Sequence, residues 1–218
     1  MSYEIDRIEY KGHTIVIESD DNPQNPRTEW DNLTEVHCCS NRYYLGEHNH
    51  ASWDECREAI AEHERNGAMV FDLYTYIHSG TRLSLGSFHG RLPQGHAQFD
   101  SGKCGFVVVP KKGIMENWGK KNWTEALRKK AYEVAEQDIA TFNEYLSGDV
   151  CGYIIDEDGD SCWGYYGGKQ YAIDDAKGVV DYIVKEAKQS HFEQLKTWIK
   201  NHVPLSVRTT LSTALAVE

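Results

Sequence analysis

Gly148–Gly168 reads GDVCGYIIDEDGDSCWGYYGG, and the rest of the chain is interpreted around it. Two short apolar runs, Val150–Ile155 and Cys162–Tyr166, flank the acidic turn Asp156-Glu157-Asp158-Gly159-Asp160. Aromatic and β-branched residues bounded by Asp and Gly predict a β-hairpin. Asp158-Gly159 supplies the left-handed position that a tight turn needs. A two-stranded hairpin is marginal alone, so this one needs a sheet or helices beneath it. Helical periodicity on either side, over Asn122–Tyr145 and Ile173–Lys200, provides candidates. The second arm places Cys162, Trp163, Tyr165 and Tyr166 beside three glycines, a composition that lets a backbone or ligand approach closely. Trp163 is expected to be buried between the two long helices.

Working outward, Ile5–Tyr10 and His13–Glu18 alternate loosely about Lys11-Gly12 and predict an opening hairpin. Asp20–Glu29, with two prolines, is a loop. Leu33–Cys39 is a strand, and Arg42–Asn49 a polar connection. Ser52 caps a helix over Trp53–Arg65, with Glu55 completing a capping box. One face of that helix carries Trp53, Cys56, Ala59, Ile60 and His63. Met69–Tyr76 and Thr81–Leu85 are strands, Gly86–Gly102 is irregular, and Phe106–Val109 reads as a buried strand. Lys112–Gly119 suggests a short helix, and Thr124 caps a long one that Gly148 stops. The sum is an α+β chain with a mostly antiparallel sheet and about three helices, two of them long. Residues 1–203 are expected to form one domain, and 204–218 a loosely held tail.

The chain has 218 residues and a formal net charge of -11, enough length for a core without disulfides or metals. Six cysteines without regular spacing read as reduced thiols. No apolar run reaches the length of a membrane span, and the N-terminal residues show no secretory pattern, so a cytoplasmic protein is expected. The acidity, strongest from Glu18 to Glu64, argues against general nucleic-acid binding. A modest basic cluster, Lys111, Lys112, Lys120, Lys121, Arg128, Lys129 and Lys130, is the exception.

Phosphate loops, dinucleotide fingerprints, nucleophile elbows and helical zinc-protease pairs are absent from the sequence. Four clusters carry potential chemistry. His37, Cys38, Cys39, His48, His50 and Cys56 are metal-ligand types, but their spacing matches no common finger. Cys38 and Cys39 would also point to opposite faces of a strand. No metal and no cofactor is therefore assigned. His78-Ser79-Gly80 is an accessible turn, where a histidine titrates near neutrality. Asp100–Gly105 and Asp160–Trp163 are turns leading into strands. Cys162, His78 and Asp100 are the types of a thiol nucleophile, its base and an orienting carboxylate. The favoured expectation is that they do not assemble and that Cys162 is a core thiol, with His78 closing its own turn. Asp156, Asp158 and Asp160 begin like a calcium loop, but Gly167 stands where the bidentate glutamate belongs, which excludes that reading.

Taken jointly, Asn25-Pro26-Arg27, Trp30-Asp31-Asn32, Arg42-Tyr43, Leu45-Gly46, His78-Ser79-Gly80, Asp100-Ser101-Gly102, Gly148-Asp149-Val150, Gly152-Tyr153 and Asp160-Ser161-Cys162-Trp163-Gly164 form an ordered set. This set resembles a family of hypothetical proteins of bacteriophages and other mobile elements. Where family members often carry His, this chain has Ser40, which removes a metal or base candidate. The resemblance implies a phage accessory protein of the host cytoplasm, outside the virion, and brings no established activity with it.

Three functions follow as expectations. The first is an inhibitor that binds a host protein, such as a defence nuclease or a DNA-binding protein, through an acidic surface. Glu18, Asp20, Asp21, Glu29 and Asp31, with Trp163, Tyr165 and Tyr166, are its binding residues. No membrane partner is expected, and the oligomeric state is left open. The second is a hydrolase or transferase built on Cys162, His78 and Asp100. The third is a protein that sequesters a nucleotide signal by stacking it on Trp163, Tyr165 and Tyr166, with Arg82 or Arg91 holding phosphate.

Overall fold

The computed structural model describes residues 2–39, 44–92, 95–156 and 159–208. Along the chain run β1 (Glu4–Tyr10), β2 (His13–Ser19), β3 (Glu35–Cys38), β4 (His48–Asn49), α1 (Trp53–Arg65), β5 (Met69–Ile77) and β6 (Thr81–Leu85). Then come α2 (His96–Asp100), β7 (Ser101–Val109), α3 (Lys111–Asn117), α4 (Glu125–Ser147), β8 (Val150–Ile155), β9 (Ser161–Tyr166) and α5 (Lys169–His202). The α+β class holds, but there are two sheets and, among the described residues, five helices plus a helical turn over 205–208, against the three or so expected. One sheet runs β1-β2-β8-β9 and the other β4-β3-β7-β5-β6. Alternation tells which face of a strand is apolar, but not which strand it pairs with. The short α2 hides in a glycine-rich stretch with no periodicity long enough to read.

The chain divides into two compact units. The first comprises Met1–Ser2, Ser19–Cys151 and Trp163–Gly168. Its centre is β7, antiparallel to both β3 and β5. Residues of β7 alternate between two apolar clusters. Val107 and Val109 join Val36, Cys38, Leu73, Leu83 and the α4 stripe Leu127, Ala131, Ala135, Ile139 and Phe142. Val108 instead joins Cys56 and Ile60 of α1. The sheet is thus sandwiched, with α4 serving one face and α1 the other, as period-2 strands between amphipathic helices require. The edge strand β6 is closed by a side chain. Asn143 of α4 accepts from the Leu83 amide at 2.7 Å and donates to the Leu83 carbonyl at 2.9 Å. Such cover protects an edge from further pairing.

Both long capping signals work as read. Ser52 Oγ accepts from the Glu55 amide, and Thr124 Oγ1 from the Leu127 amide. Gly148 ends α4 with φ of 73°, a left-handed position. Arg27, in the Asn-Pro-Arg motif, is buried at 2 % exposure. It donates to Thr34 Oγ1 at 3.2 Å, to the Thr34 carbonyl at 2.8 Å and to the Glu47 carboxylate, with Asp138 at 3.8 Å.

The second unit comprises Tyr3–Glu18, Gly152–Cys162 and Lys169–Glu218. Ile15 and Ile17 face inward from β2, and Ala172, Ile173, Ala176 and Val180 form the buried stripe of α5. Polar ties join helix and sheet: Lys11 to Asp181 at 2.7 Å, Lys169 to Asp6 at 2.6 Å and Tyr153 to Asp175 at 3.3 Å. At the β2–β8 end, Asp156 accepts from the Thr14 amide at 2.9 Å and meets His13 at 2.7 Å. Among the described residues no helix is long and apolar enough to cross a membrane.

Two expectations for the hairpin arm are corrected. Trp163 is 42 % exposed rather than buried, and Cys162 is exposed rather than a core thiol. Strand β9 is the outer strand of its sheet, and its first four residues are all exposed. An edge strand needs no cover on its outward face, whatever its aromatic content. Glu157 and Asp158 of the turn, Ser40, Arg42-Tyr43 and 209–218 of the tail lie outside the described residues.

Candidate metal centre

Strand geometry assembles a cluster that sequence spacing conceals. Residues two apart on a strand share a face, so Glu35 and His37 of β3 point the same way. Strand β4 runs parallel to β3, with His48 in register with His37. His50 follows two residues later, held to β3 by its amide bond to the Cys38 carbonyl at 2.9 Å. Two strands thus set Glu35, His37, His48 and His50 on one pleated surface. Helix α1 covers that surface and adds His63 from its last turn.

The donor atoms converge on Glu35. Its Oε2 lies 3.6 Å from His37 Nε2, 3.7 Å from His48 Nε2 and 3.5 Å from His63 Nε2. These contacts are too long for hydrogen bonds. They are close to the ligand–ligand edge of a tetrahedron with 2.0–2.1 Å metal bonds, about 3.4 Å. Glu35, His37 and His63 offer three donor atoms all within 4.8 Å of one another, and His48 adds its contact to the same oxygen. The His37 and His48 rings stack at 4.5 Å, and His37 meets His63 edge-on at 5.3 Å.

His37 is the buried member, at 3 % exposure, and its Nε2 has no hydrogen-bond partner. Its other nitrogen is engaged: Nδ1 is 3.0 Å from His50 Nε2. His50 Nδ1 in turn lies 3.9 Å from Glu55 Oε1. In the tautomer whose His37 Nδ1–H donates to His50, the Nε2 lone pair of His37 faces the cluster. Burial, then the neighbouring His37, pulls the His50 value down, which keeps His50 neutral and able to accept that bond. The Glu35 carboxyl is held below its ordinary value, first by His37, with His63 and His48 adding to the effect, against the opposing effect of burial. The centre therefore offers an ionised carboxylate and imidazole nitrogens, with a carboxylate–histidine relay behind His37 of the kind that orients metal ligands.

Of the thiols of the same stretch, Cys38 turns away from the histidines and Cys39 shares their side of the sheet. Cys38 belongs to the α4-side cluster and Cys39 packs on the α1 side, as the opposite-face argument requires. Burial is the first cause that pushes the thiols of Cys39 and Cys56 up, and the adjacent thiols add to it for Cys39. Raised in this way, the Cys39 and Cys56 thiols are poorer metal donors than free cysteines. Reading the sequence found His37, His48 and His50 but missed Glu35 and His63. Glu35 blends into the general acidity, and His63 falls on the apolar face of α1. The usable signal was the pair of alternating motifs, Glu-x-His at 35–37 and His-x-His at 48–50.

The other expected site residues fall in separate places. His78 and Asp100 do meet, with His78 Nδ1 3.0 Å from Asp100 Oδ2. Cys162 belongs to the second unit, which contains neither of them. His78 also closes its own turn through its amide, at 3.3 Å from the Gly80 carbonyl. Of the expected binding residues, Asp20, Trp163 and Tyr166 line one open cleft with Asn22, Gln24, Trp30 and Gly164. Trp30 packs edge-on against Tyr166 at 4.9 Å, and the Tyr166 hydroxyl donates to the Gln24 carbonyl at 2.5 Å. Asp21, Glu29 and Asp31 are exposed, and Tyr165 is half-buried. Glu18 belongs to the second unit and lines a groove there with Arg7, Thr14 and Asp156. Arg91 donates to Ser84 Oγ at 2.8 Å, and Arg82 lines a cleft with Ser79, Thr81 and Asn143. No known protein family, curated protein or solved structure matches the chain.

Proposed function

We propose that this chain binds a divalent transition metal, zinc by its chemistry, through Glu35, His37, His48 and His63. The observation that carries the reading is the buried Nε2 of His37, which makes no hydrogen bond and faces a carboxylate on which two further imidazole nitrogens converge. A buried polar atom without a partner is costly, and a metal ion removes that cost. Two imidazole nitrogens and one carboxylate oxygen within 4.8 Å of one another, with His48 Nε2 3.7 Å from the same oxygen, suit zinc. With His48 as the fourth donor, the ion would act as a clamp joining β3, β4 and α1.

The test is a zinc titration of chelator-treated protein, with thermal unfolding before and after. One equivalent is expected at the Glu35 centre, with stabilisation of about 2.7 kcal/mol when free zinc is one hundred times its dissociation constant. Glu35→Gln and His63→Ala should weaken binding while leaving the metal-free fold intact, because both side chains are partly exposed. A wild-type protein that takes up no zinc, or variants that bind as it does, would overturn the reading.

Inhibition of a host protein through an acidic surface stands beside this as a second proposal. Its support is the shared cleft of Asp20, Trp163 and Tyr166, where a carboxylate sits among exposed aromatic rings. That combination suits a cationic side chain of a partner. Pull-down from infected host cells with wild type and with Asp20→Asn/Trp30→Ala tests it: a host protein retained by wild type and lost by the variant supports it, and equal recovery removes it.

A further inference from the structure

We infer that His78, His96 and Asp100 form a second metal site, distinct from the Glu35 centre and suited to a six-coordinate divalent ion such as Fe(II), Co(II) or Ni(II). Helix α2 begins at His96 and ends at Asp100, four residues apart and so one above the other on the same face. The turn after β5 brings His78 over that face. Donor atoms of the three side chains lie within 4.8 Å of one another.

Two features set this site apart from a chance surface cluster. The first is that His78 Nδ1 and Asp100 Oδ2, hydrogen-bonded at 3.0 Å, already stand at ligand-to-ligand distance, so an ion has only to displace the shared proton. Adjacent ligands in an octahedron with bonds near 2.1 Å are about 3.0 Å apart, shorter than the edges at the Glu35 centre. The second is the support behind His96. The Tyr76 hydroxyl lies 3.3 Å from His96 Nδ1, which leaves Nε2 as the donor. Tyr76 is itself held between the His78 ring, stacked at 6.1 Å, and the buried Phe88, at 5.8 Å. The His96 and His78 rings are 5.2 Å apart, so a modest side-chain rotation brings both nitrogens to one ion.

Two imidazoles and one carboxylate on one side of an ion leave three positions open to water or an added ligand. That donor set is the facial arrangement typical of non-haem Fe(II) centres. The side chain of His78 is 56 % exposed, which gives an ion direct access from solvent.

Cobalt(II) distinguishes the two sites within one chain, because tetrahedral Co(II) absorbs strongly in the visible and six-coordinate Co(II) weakly. The full chain, chelator-treated and kept under nitrogen, is titrated with Co(II) by calorimetry and absorption together. Two equivalents are expected. In Glu35→Gln/His63→Ala the strong bands should vanish and one weakly absorbing equivalent remain. His96→Ala or Asp100→Asn in that background should abolish it. Tyr76→Phe, which touches no metal, should weaken it about tenfold through the loss of His96 orientation, and a role of Tyr76 in the fold alone would leave the Co(II) affinity unchanged at equal stability. The inference fails if the double variant binds no Co(II), or binds it equally after His96→Ala. A missing strong band with a His96-dependent weak equivalent would remove the Glu35 reading and keep this one.

Discussion

Replacing Arg27 by methionine should be among the most damaging single changes in the first unit. Arg27 sits at 2 % exposure between two acids, Glu47 and Asp138, whose side chains are 22 % and 21 % exposed. Methionine fills most of the volume but leaves both carboxylates without their cation. Breaking a buried pair from one side costs about 3–5 kcal/mol. Partial exposure of both acids lets water relieve some of this, so the expected loss is about 3 kcal/mol at neutral pH. The loss should depend on pH. Burial holds the Asp138 carboxyl above its ordinary value, while Thr34 and Arg27 pull it down and Glu47 adds to the rise. An acid whose folded value is raised favours the fold below its unfolded value and loses that advantage as pH rises through the folded value. Removing Arg27 deletes one downward pull, so the penalty in the variant should shrink on acidification and grow towards neutrality. Glu47 also accepts from the Val36 amide at 3.0 Å, which holds the chain just before His48 against β3. Zinc affinity should therefore fall together with stability. Urea unfolding followed by far-ultraviolet circular dichroism, with unchanged m, measures the loss. A loss under about 1 kcal/mol, the size of a surface pair, or a penalty that grows on acidification, refutes the reasoning.

Gly105→Ala should disturb the metal centre through the backbone. A Cβ at Gly105 would stand 2.0 Å from the His37 carbonyl oxygen, so β3 and β7 must separate beside His37. Stability and zinc affinity should drop together, whereas Gly102→Ala, where a Cβ meets open space, should change neither; equal behaviour of the two variants counts against this account. Among the six cysteines, Cys162 is exposed while Cys38, Cys56, Cys104 and Cys151 are buried. A disulfide reagent added to the native protein should modify Cys162 first, and Cys162→Ser should remove that fast phase; a fast phase that survives points to another thiol. Trp163→Ala should cost about 1–2 kcal/mol, well short of a core tryptophan, because the ring is 42 % exposed, and a loss above about 3 kcal/mol in the same urea assay would show it buried.

Much of this protein is local and therefore readable along the chain. The caps at Ser52 and Thr124, the stop at Gly148, the α4 stripe and the arms of the final hairpin depend on neighbours within a few residues. Propensity and hydrogen bonding act there over one or two turns. Strand pairing is different, because a strand shows its partner no more than its apolar period does. Nothing in Val150–Ile155 or Ser161–Tyr166 says that they pair in the β1–β2 sheet, leaving Trp163 at an edge. The candidate metal centre shows the same division. Glu35, His37, His48 and His50 carry a two-residue period visible in the sequence. Only the parallel pairing of β4 with β3 puts the two motifs side by side, and only the passage of α1 over that face delivers His63. His78 and Asp100 are 22 residues apart, and the turn after β5 and the five-residue helix α2 bring them into contact. Ligand convergence is a property of register and packing, whose determinants are spread through the chain, so it emerges only when the sheet has closed.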